Sequence, residues 1–175
     1  ATGHASIASI ARLLRDHLPA DDPLVAYADD LAVPQLMARR MRGFLTGSID
    51  LVLRVRDNDG EPAYVVVDYK TNWLGTDAVI TASDYRPDAL ARAMRAAHYP
   101  LQALLYSVAL HRFLRWRQPG YDPDRQLGGV LYLFLRGMCG AETPRYDGVP
   151  TGVFSWRPRS ALVVALSDLL DGGAS

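Results

Sequence analysis

Asp68 and Lys70 stand two residues apart in the stretch VVVDYKTNWLG (65–75), and Lys70 is the only lysine of the chain; every other residue among its nineteen Lys plus Arg is an arginine. The valines before them mark an extended strand. Strand side chains alternate between faces, so Asp68 and Lys70 share one side while Val65, Val67 and Tyr69 share the other. A lysine ammonium is a compact point charge on a flexible stem. It approaches a water or a phosphate oxygen closely and releases a proton when partly buried, whereas a guanidinium stays charged and requires a planar fork. The position asks for the chemistry of an amine.

A second carboxylate belongs to the same constellation. The stretch GFLTGSIDLVLRV (43–55) reads as a strand, DNDG (57–60) as a tight turn and AYVVVDYK (63–70) as the returning strand of a hairpin. With Asn58, Asp59 and Gly60 as a three-residue loop and Gly60 left-handed, Asp57 pairs with Glu61, and the register sets Asp50 opposite Asp68. Directly opposed side chains lie about 4.5–5.5 Å apart at Cβ, and like charges there destabilise the sheet. Lys70 neutralises part of that charge. A divalent cation would neutralise the rest, and hard oxygen donors at this spacing suit Mg²⁺, for which Mn²⁺ can substitute. The competing reading is an ordinary ion pair inside a hairpin.

The elements that must hold these residues follow from periodicity. Ile7, Ile10, Leu13, Leu14 and Leu18 give an amphipathic helix that PADDP ends. RPDALARAMRAA (86–97) reads as a helix, and Pro100 opens a longer one, PLQALLYSVALHRFLRWR. GGVLYLFLRG (128–137) is a continuous apolar run between glycines and is expected to be a central strand buried on both faces. TGVFSWRP offers a last strand, and SALVVALSDLL (160–170) a closing helix. Together they predict an α/β domain with a mixed central sheet of about five strands flanked by helices. Residues 1–40 read as a helical lead-in, and 41–175 as the domain proper.

Composition narrows the function classes. At 175 residues the chain can bury a sizeable core, and 49% apolar with 22% charged residues is ordinary for a globular domain. No apolar run reaches the length of a membrane helix. A net charge of zero gives no global signal for nucleic acid, so any such surface must be local. The lone Cys139 cannot form an internal disulfide and has no evident His partner, which points to a reducing cytoplasm and away from a thiol nucleophile. No glycine-rich phosphate loop follows a strand, so no nucleotide site is expected. The chain opens on Ala1 without a signal peptide and reads as a piece of something longer.

The stretches RGFLTGSIDLV, VVDYKTNWLG, YPLQALLYSVALHRFL and GGVLYLFLRGM resemble the PD-(D/E)xK nuclease superfamily. Within it they more closely resemble the C-terminal nuclease domains of the RecB-type subunits of bacterial RecBCD helicase-nucleases. The likeness runs from about Met41 to Trp156. It implies a restriction-endonuclease-like core in which Asp50 and Asp68 ligate Mg²⁺, the backbone carbonyl of Tyr69 adds a ligand, and Lys70 positions the attacking water or steadies the phosphorane charge. Gln102 and Tyr106 match a Gln and a Tyr that the family carries on the helix after the motif, and four residues apart they share a helix face. The implied substrate is DNA, mainly single strands at processed double-strand ends. The implied partners are the helicase and companion subunits and a RecA-type recombinase. The chain departs from the family in one respect: its upstream histidines, His4 and His17, do not stand in the Gly-Thr-x-x-His context of the further metal ligand. The resemblance therefore also admits a catalytically weak docking module that binds a recombinase or the parent complex, and a restriction-type or phage exonuclease shares the core but not NWLG or YLFLRGM.

Other candidates are weaker. Arg39, Arg40 and Arg42 lead towards Asp50 and could contact phosphates, which take much of the hydrogen bonding in protein–DNA interfaces, or could form a solvated basic cluster. Trp73 is expected to cover the edge of the site, with base stacking as the alternative. Arg112, Arg115 and Arg117, interleaved with Phe113 and Trp116, could form a binding surface, although helical spacing favours the core for Phe113. His98 and His111 read as structural.

Overall fold

The computed structural model describes residues 6–37, 47–57, 59–76 and 79–172. In chain order the helices are α1 (Ile7–His17), α2 (Tyr27–Asp30), α3 (Pro34–Met37), α4 (Pro87–Ala96), α5 (Tyr99–Arg117), α6 (Pro123–Gln126) and α7 (Ser160–Leu170). The strands are β1 (Leu51–Arg56), β2 (Pro62–Lys70), β3 (Leu127–Phe134), β4 (Arg145–Tyr146), β5 (Val149–Pro150) and β6 (Val153–Trp156). Two compact units emerge, one formed by Ala1–Ser48, Pro100–Leu127 and Pro158–Ser175, the other by Ile49–Tyr99 and Gly128–Arg157.

The first unit is helical. Ser6 caps α1 by accepting the Ser9 amide at 3.1 Å, and Ile7, Ile10, Ala11 and Leu14 form the buried stripe that the spacing predicted. Arg15 and His17 in its last turn suit the negative end of the helix dipole. That stripe faces α2 and α7, where Leu162, Val163 and Leu166 are buried. Arg112 on α5 ties down the end of α7, donating to the Ser167 carbonyl at 2.7 Å and pairing with Asp171 at 2.7 Å.

The second unit carries a mixed four-stranded sheet in the order β1-β2-β3-β6. Both outer pairs are antiparallel, which leaves β2 and β3 as the parallel pair. A parallel pair needs a long crossover, and the chain between β2 and β3 supplies one containing α4, α5 and α6. The β1–β2 hairpin turns through a loop in which Gly60 sits at φ +81° and Asp57 exchanges with Glu61, its amide donating to the Glu61 carbonyl at 2.8 Å. Asp57 Oδ1 also accepts the Asp59 and Glu61 amides, the bonds of an Asx turn. Asn58 of that loop lies outside the described residues.

Several expectations change. Among the described residues the central sheet has four strands where about five were expected, and TGVFSWRP supplies its edge strand β6. The first strand begins at Leu51; residues 47–50 are not paired, and 43–46 fall outside the described part. β3 is interior as expected but ends at Phe134, because Leu135–Gly137 winds into a 3₁₀ turn. Its burial alternates instead of being complete on both faces. The ribbon of β4 and β5 was not expected: each strand is two residues long, and its only sequence signal is the turn dipeptide Asp147-Gly148, both at positive φ.

Candidate active site

The register that pairs Leu51 with Val67 and runs to Arg56 with Pro62, carried one residue beyond Leu51, sets Asp50 opposite Asp68. Asp50 lies just before β1 and is exposed. Its Oδ2 accepts the backbone amide of Tyr69 at 3.1 Å, which anchors the carboxylate to the strand that carries Asp68. Asp68 is only 4% exposed. The Lys70 ammonium, on a side chain 12% exposed, lies 2.5 Å from Asp68 Oδ2. That contact is a close ion pair, and Oδ2 has no further hydrogen-bond donor among the described residues. A carboxylate oxygen carries more than one lone pair, so an ion-paired Oδ2 retains acceptor capacity that a second cation can satisfy.

The lysine is surrounded on its other side. The ring of Tyr99, the residue that opens α5, lies 4.1 Å from Lys70 Nζ, and the ring of Tyr132 on β3 lies at 5.1 Å. The two rings stack with centroids 5.7 Å apart. Beyond Lys70 the chain leaves the sheet as Thr71–Gly75 and is pinned there. Tyr85 donates to the Asn72 carbonyl at 2.7 Å and accepts the Leu74 amide at 3.3 Å, and Arg136 Nε donates to the Thr71 carbonyl at 2.9 Å. The Arg136 guanidinium also sits 5.7 Å from the ring of Trp73, which is 49% exposed. One aromatic face and one cation therefore border the end of β2.

Two carboxylates, Asp68 on β2 and Asp50 just before β1, the first buried and ion-paired with Lys70, are hard donors of the kind Mg²⁺ takes. Among the described residues no three of His, Cys, Asp and Glu gather to make a larger cage. Mg²⁺ is commonly held by one or two carboxylates with water completing its shell, so the donor set fits that ion better than a metal needing a full protein cage.

The remaining candidates separate. Gln102 Nε2 donates to the Tyr106 hydroxyl at 2.9 Å, and that hydroxyl donates to the Ser48 carbonyl at 2.7 Å. They share a face of α5 as their spacing requires, and both belong to the first unit, whereas Asp50, Asp68 and Lys70 belong to the second. Arg39, Arg40 and Arg42 lie outside the described residues, as does His4. Phe113 is 55% exposed, which corrects the expectation that it packs in the core. The ring of Trp116 beside it is exposed under the Arg117 guanidinium. His111 is buried, with Nδ1 3.0 Å from the Tyr121 hydroxyl; burial first, then nearby Arg115, hold its pKa below the usual histidine value.

Sequence reading missed Tyr99, Tyr132, Tyr85 and Arg136. Their partners are 11 to 65 positions away, so no local period marks them. The one available signal was Tyr132, a polar-tipped ring inside an apolar strand beside the motif strand, since buried Tyr hydroxyls find partners.

No family model matches the chain. Curated relatives do. The RecBCD enzyme subunit RecB of Mycolicibacterium smegmatis is 57% identical over 171 residues, 97% of the chain and 15% of that protein. The subunit of the same name from Mycobacterium tuberculosis is 59% identical over 168 residues, 96% of the chain and 15% of that protein. That from Escherichia coli is 39% identical over 166 residues, 89% of the chain and 13% of that protein. The chain spans about 15% of the length of the first two of these curated relatives.

Proposed function

Because the chain belongs to the RecB subunit family, we propose that it is a metal-dependent DNA nuclease domain of the PD-(D/E)xK type, hydrolysing phosphodiester bonds during double-strand end processing and recombinational repair. The observation that carries the reading is the buried Asp68 carboxylate, ion-paired with the chain's single lysine, with Asp50 anchored to the neighbouring Tyr69 amide. A bound Mg²⁺ supplies a water of lowered pKa and charge neutralisation at the phosphoryl group. Asp50 and Asp68 are the residues that hold it, with the Tyr69 backbone carbonyl as a third donor. Asp50 is fixed by the Tyr69 amide, and Asp68 by its place in the strand. Lys70 presents a point charge to the developing phosphorane oxygens, and its aromatic surroundings keep that charge in one place. Trp73 offers a half-open ring face on which a base of a single strand stacks, and Arg136 a cation for the adjoining phosphate. Gln102 and Tyr106 enter as supporting residues on the family likeness. The companion helicase subunits and a RecA-type recombinase are the partners proposed on the same basis.

A second reading, a docking module for a recombinase or the parent complex, is favoured by β1. This edge strand is exposed along its whole length, with Leu51, Val52, Leu53 and Val55 each 37–39% accessible. Open apolar edge strands invite pairing with another chain. Calorimetric titration with Mn²⁺ and a Mg²⁺-dependent cleavage assay on single-stranded DNA separate the readings. The nuclease gives metal binding that Asp50→Asn and Asp68→Asn abolish, together with cleavage that both variants lose. Millimolar Mn²⁺ without binding, alongside tight recombinase capture, leaves the docking module.

A further inference from the structure

Tyr99 meets the candidate site in three ways. Its ring lies 4.1 Å from Lys70 Nζ, its hydroxyl donates to Asn72 Oδ1 at 3.1 Å, and its carbonyl accepts the Tyr132 hydroxyl at 3.4 Å. Tyr132 is fully buried and lies stacked on Tyr99 with its plane inclined by 27°. It brings a second ring to 5.1 Å from the same ammonium.

A lysine stem has several rotatable bonds and a strongly hydrated head, so an ammonium near a carboxylate is ordinarily free to swing. Here a carboxylate oxygen lies 2.5 Å from Nζ and two ring centroids lie 4.1 and 5.1 Å from it. The ring quadrupole attracts the cation, yet a ring face offers no lone pair to draw Nζ away from Asp68. The hydroxyl has a separate task. It holds Asn72, two residues past Lys70, in the segment that Tyr85 and Arg136 also pin. One residue thus fixes both the head group of Lys70 and the backbone that follows it.

We infer that Tyr99 is a positioning residue: with Tyr132 behind it, its ring holds the Lys70 ammonium beside Asp68. The inference rests on the reading of Asp68 and Lys70 as hydrolytic machinery, and Tyr99 acts through Lys70 without touching the reacting atoms.

The single lysine makes the test direct. Lysine labelled with ¹³C at Cε gives one side-chain resonance, that of Lys70. Ring currents shift its ε protons upfield in the parent and in Tyr99→Phe, and Tyr99→Leu moves them back towards free lysine. In Mg²⁺-dependent cleavage, Tyr99→Leu lowers kcat about tenfold with KM unchanged, while Tyr99→Phe, which keeps the ring face, stays within about twofold of the parent. An unshifted resonance in the parent overturns the inference, and so does its loss in Tyr99→Phe. A Tyr99→Leu variant matching the parent in both resonance and kcat overturns it equally. A parent that cleaves nothing defeats the hydrolytic reading instead, and the ring-current shift then still decides whether Tyr99 holds the ammonium.

Discussion

Replacing Lys70 by Met removes the ammonium while keeping an unbranched apolar stem of similar length. Asp68 remains 4% exposed with an oxygen that no hydrogen bond satisfies, so the variant leaves a buried carboxylate with no countercharge 2.5 Å away. Breaking a buried pair by removing one partner costs ~3–5 kcal/mol. Losing the contact with two tyrosine rings adds about 1 kcal/mol, and the retained methylenes recover part of the loss. The expected destabilisation is about 4 kcal/mol, a fall of roughly 8–16 °C in Tm for a chain of this size. Asp68→Asn/Lys70→Met removes both charges and recovers most of it, giving a coupling of about 3 kcal/mol in a double-mutant cycle. Urea unfolding at neutral pH with a chelator present measures all four proteins. Millimolar Mg²⁺ then restores stability to Lys70→Met more than to the double variant, because only the single variant still offers the Asp68 charge. A Lys70→Met protein within ~1 kcal/mol of the parent, or a cycle with no coupling, refutes the reasoning that the pair is buried and interdependent.

Three further outcomes are expected. Gly129→Ala is severely destabilising in thermal unfolding, by about 3 kcal/mol or more, because a Cβ there would lie 2.6 Å from the Trp156 carbonyl oxygen at φ +96°; Gly60→Ala, at φ +81° in open space, costs only about 1–2 kcal/mol. His111 has its folded pKa below its unfolded value of about 6.5, so the unfolded chain binds more protons in between; stability falls as pH drops through that window, and His111→Gln flattens the slope of unfolding free energy against pH. Trp73→Ala weakens single-stranded DNA binding in fluorescence anisotropy by ~1–3 kcal/mol with little effect on Tm, since the ring is half exposed.

The hairpin was legible because local rules specify it completely. A three-residue loop with Gly60 left-handed fixes the register, and the register sets Asp50 against Asp68. The longer helices were also readable: α1 and α4 as strong stripes with serine or proline at their starts, and α7 over the residues its apolar pattern marked. The surroundings of Lys70 were not. Tyr99 and Tyr132 reach it from 29 and 62 residues further along the chain, and only the parallel placing of β3 beside β2 brings Tyr132 near. The burial of Phe113 was misjudged for a related reason: an α5 pattern with apolar residues on most sides does not reveal which face is left open. The two-residue strands β4 and β5 are too short for alternation to register at all.

The account depends on Asp50 and Asp68 gripping one divalent ion beside Lys70. A crystal soaked in Mn²⁺ and measured at the manganese absorption edge tests this most directly. The account predicts an anomalous peak bonded to carboxylate oxygens of both aspartates and absent in Asp68→Asn. Full Mn²⁺ occupancy elsewhere, with no density between these two carboxylates, would contradict it.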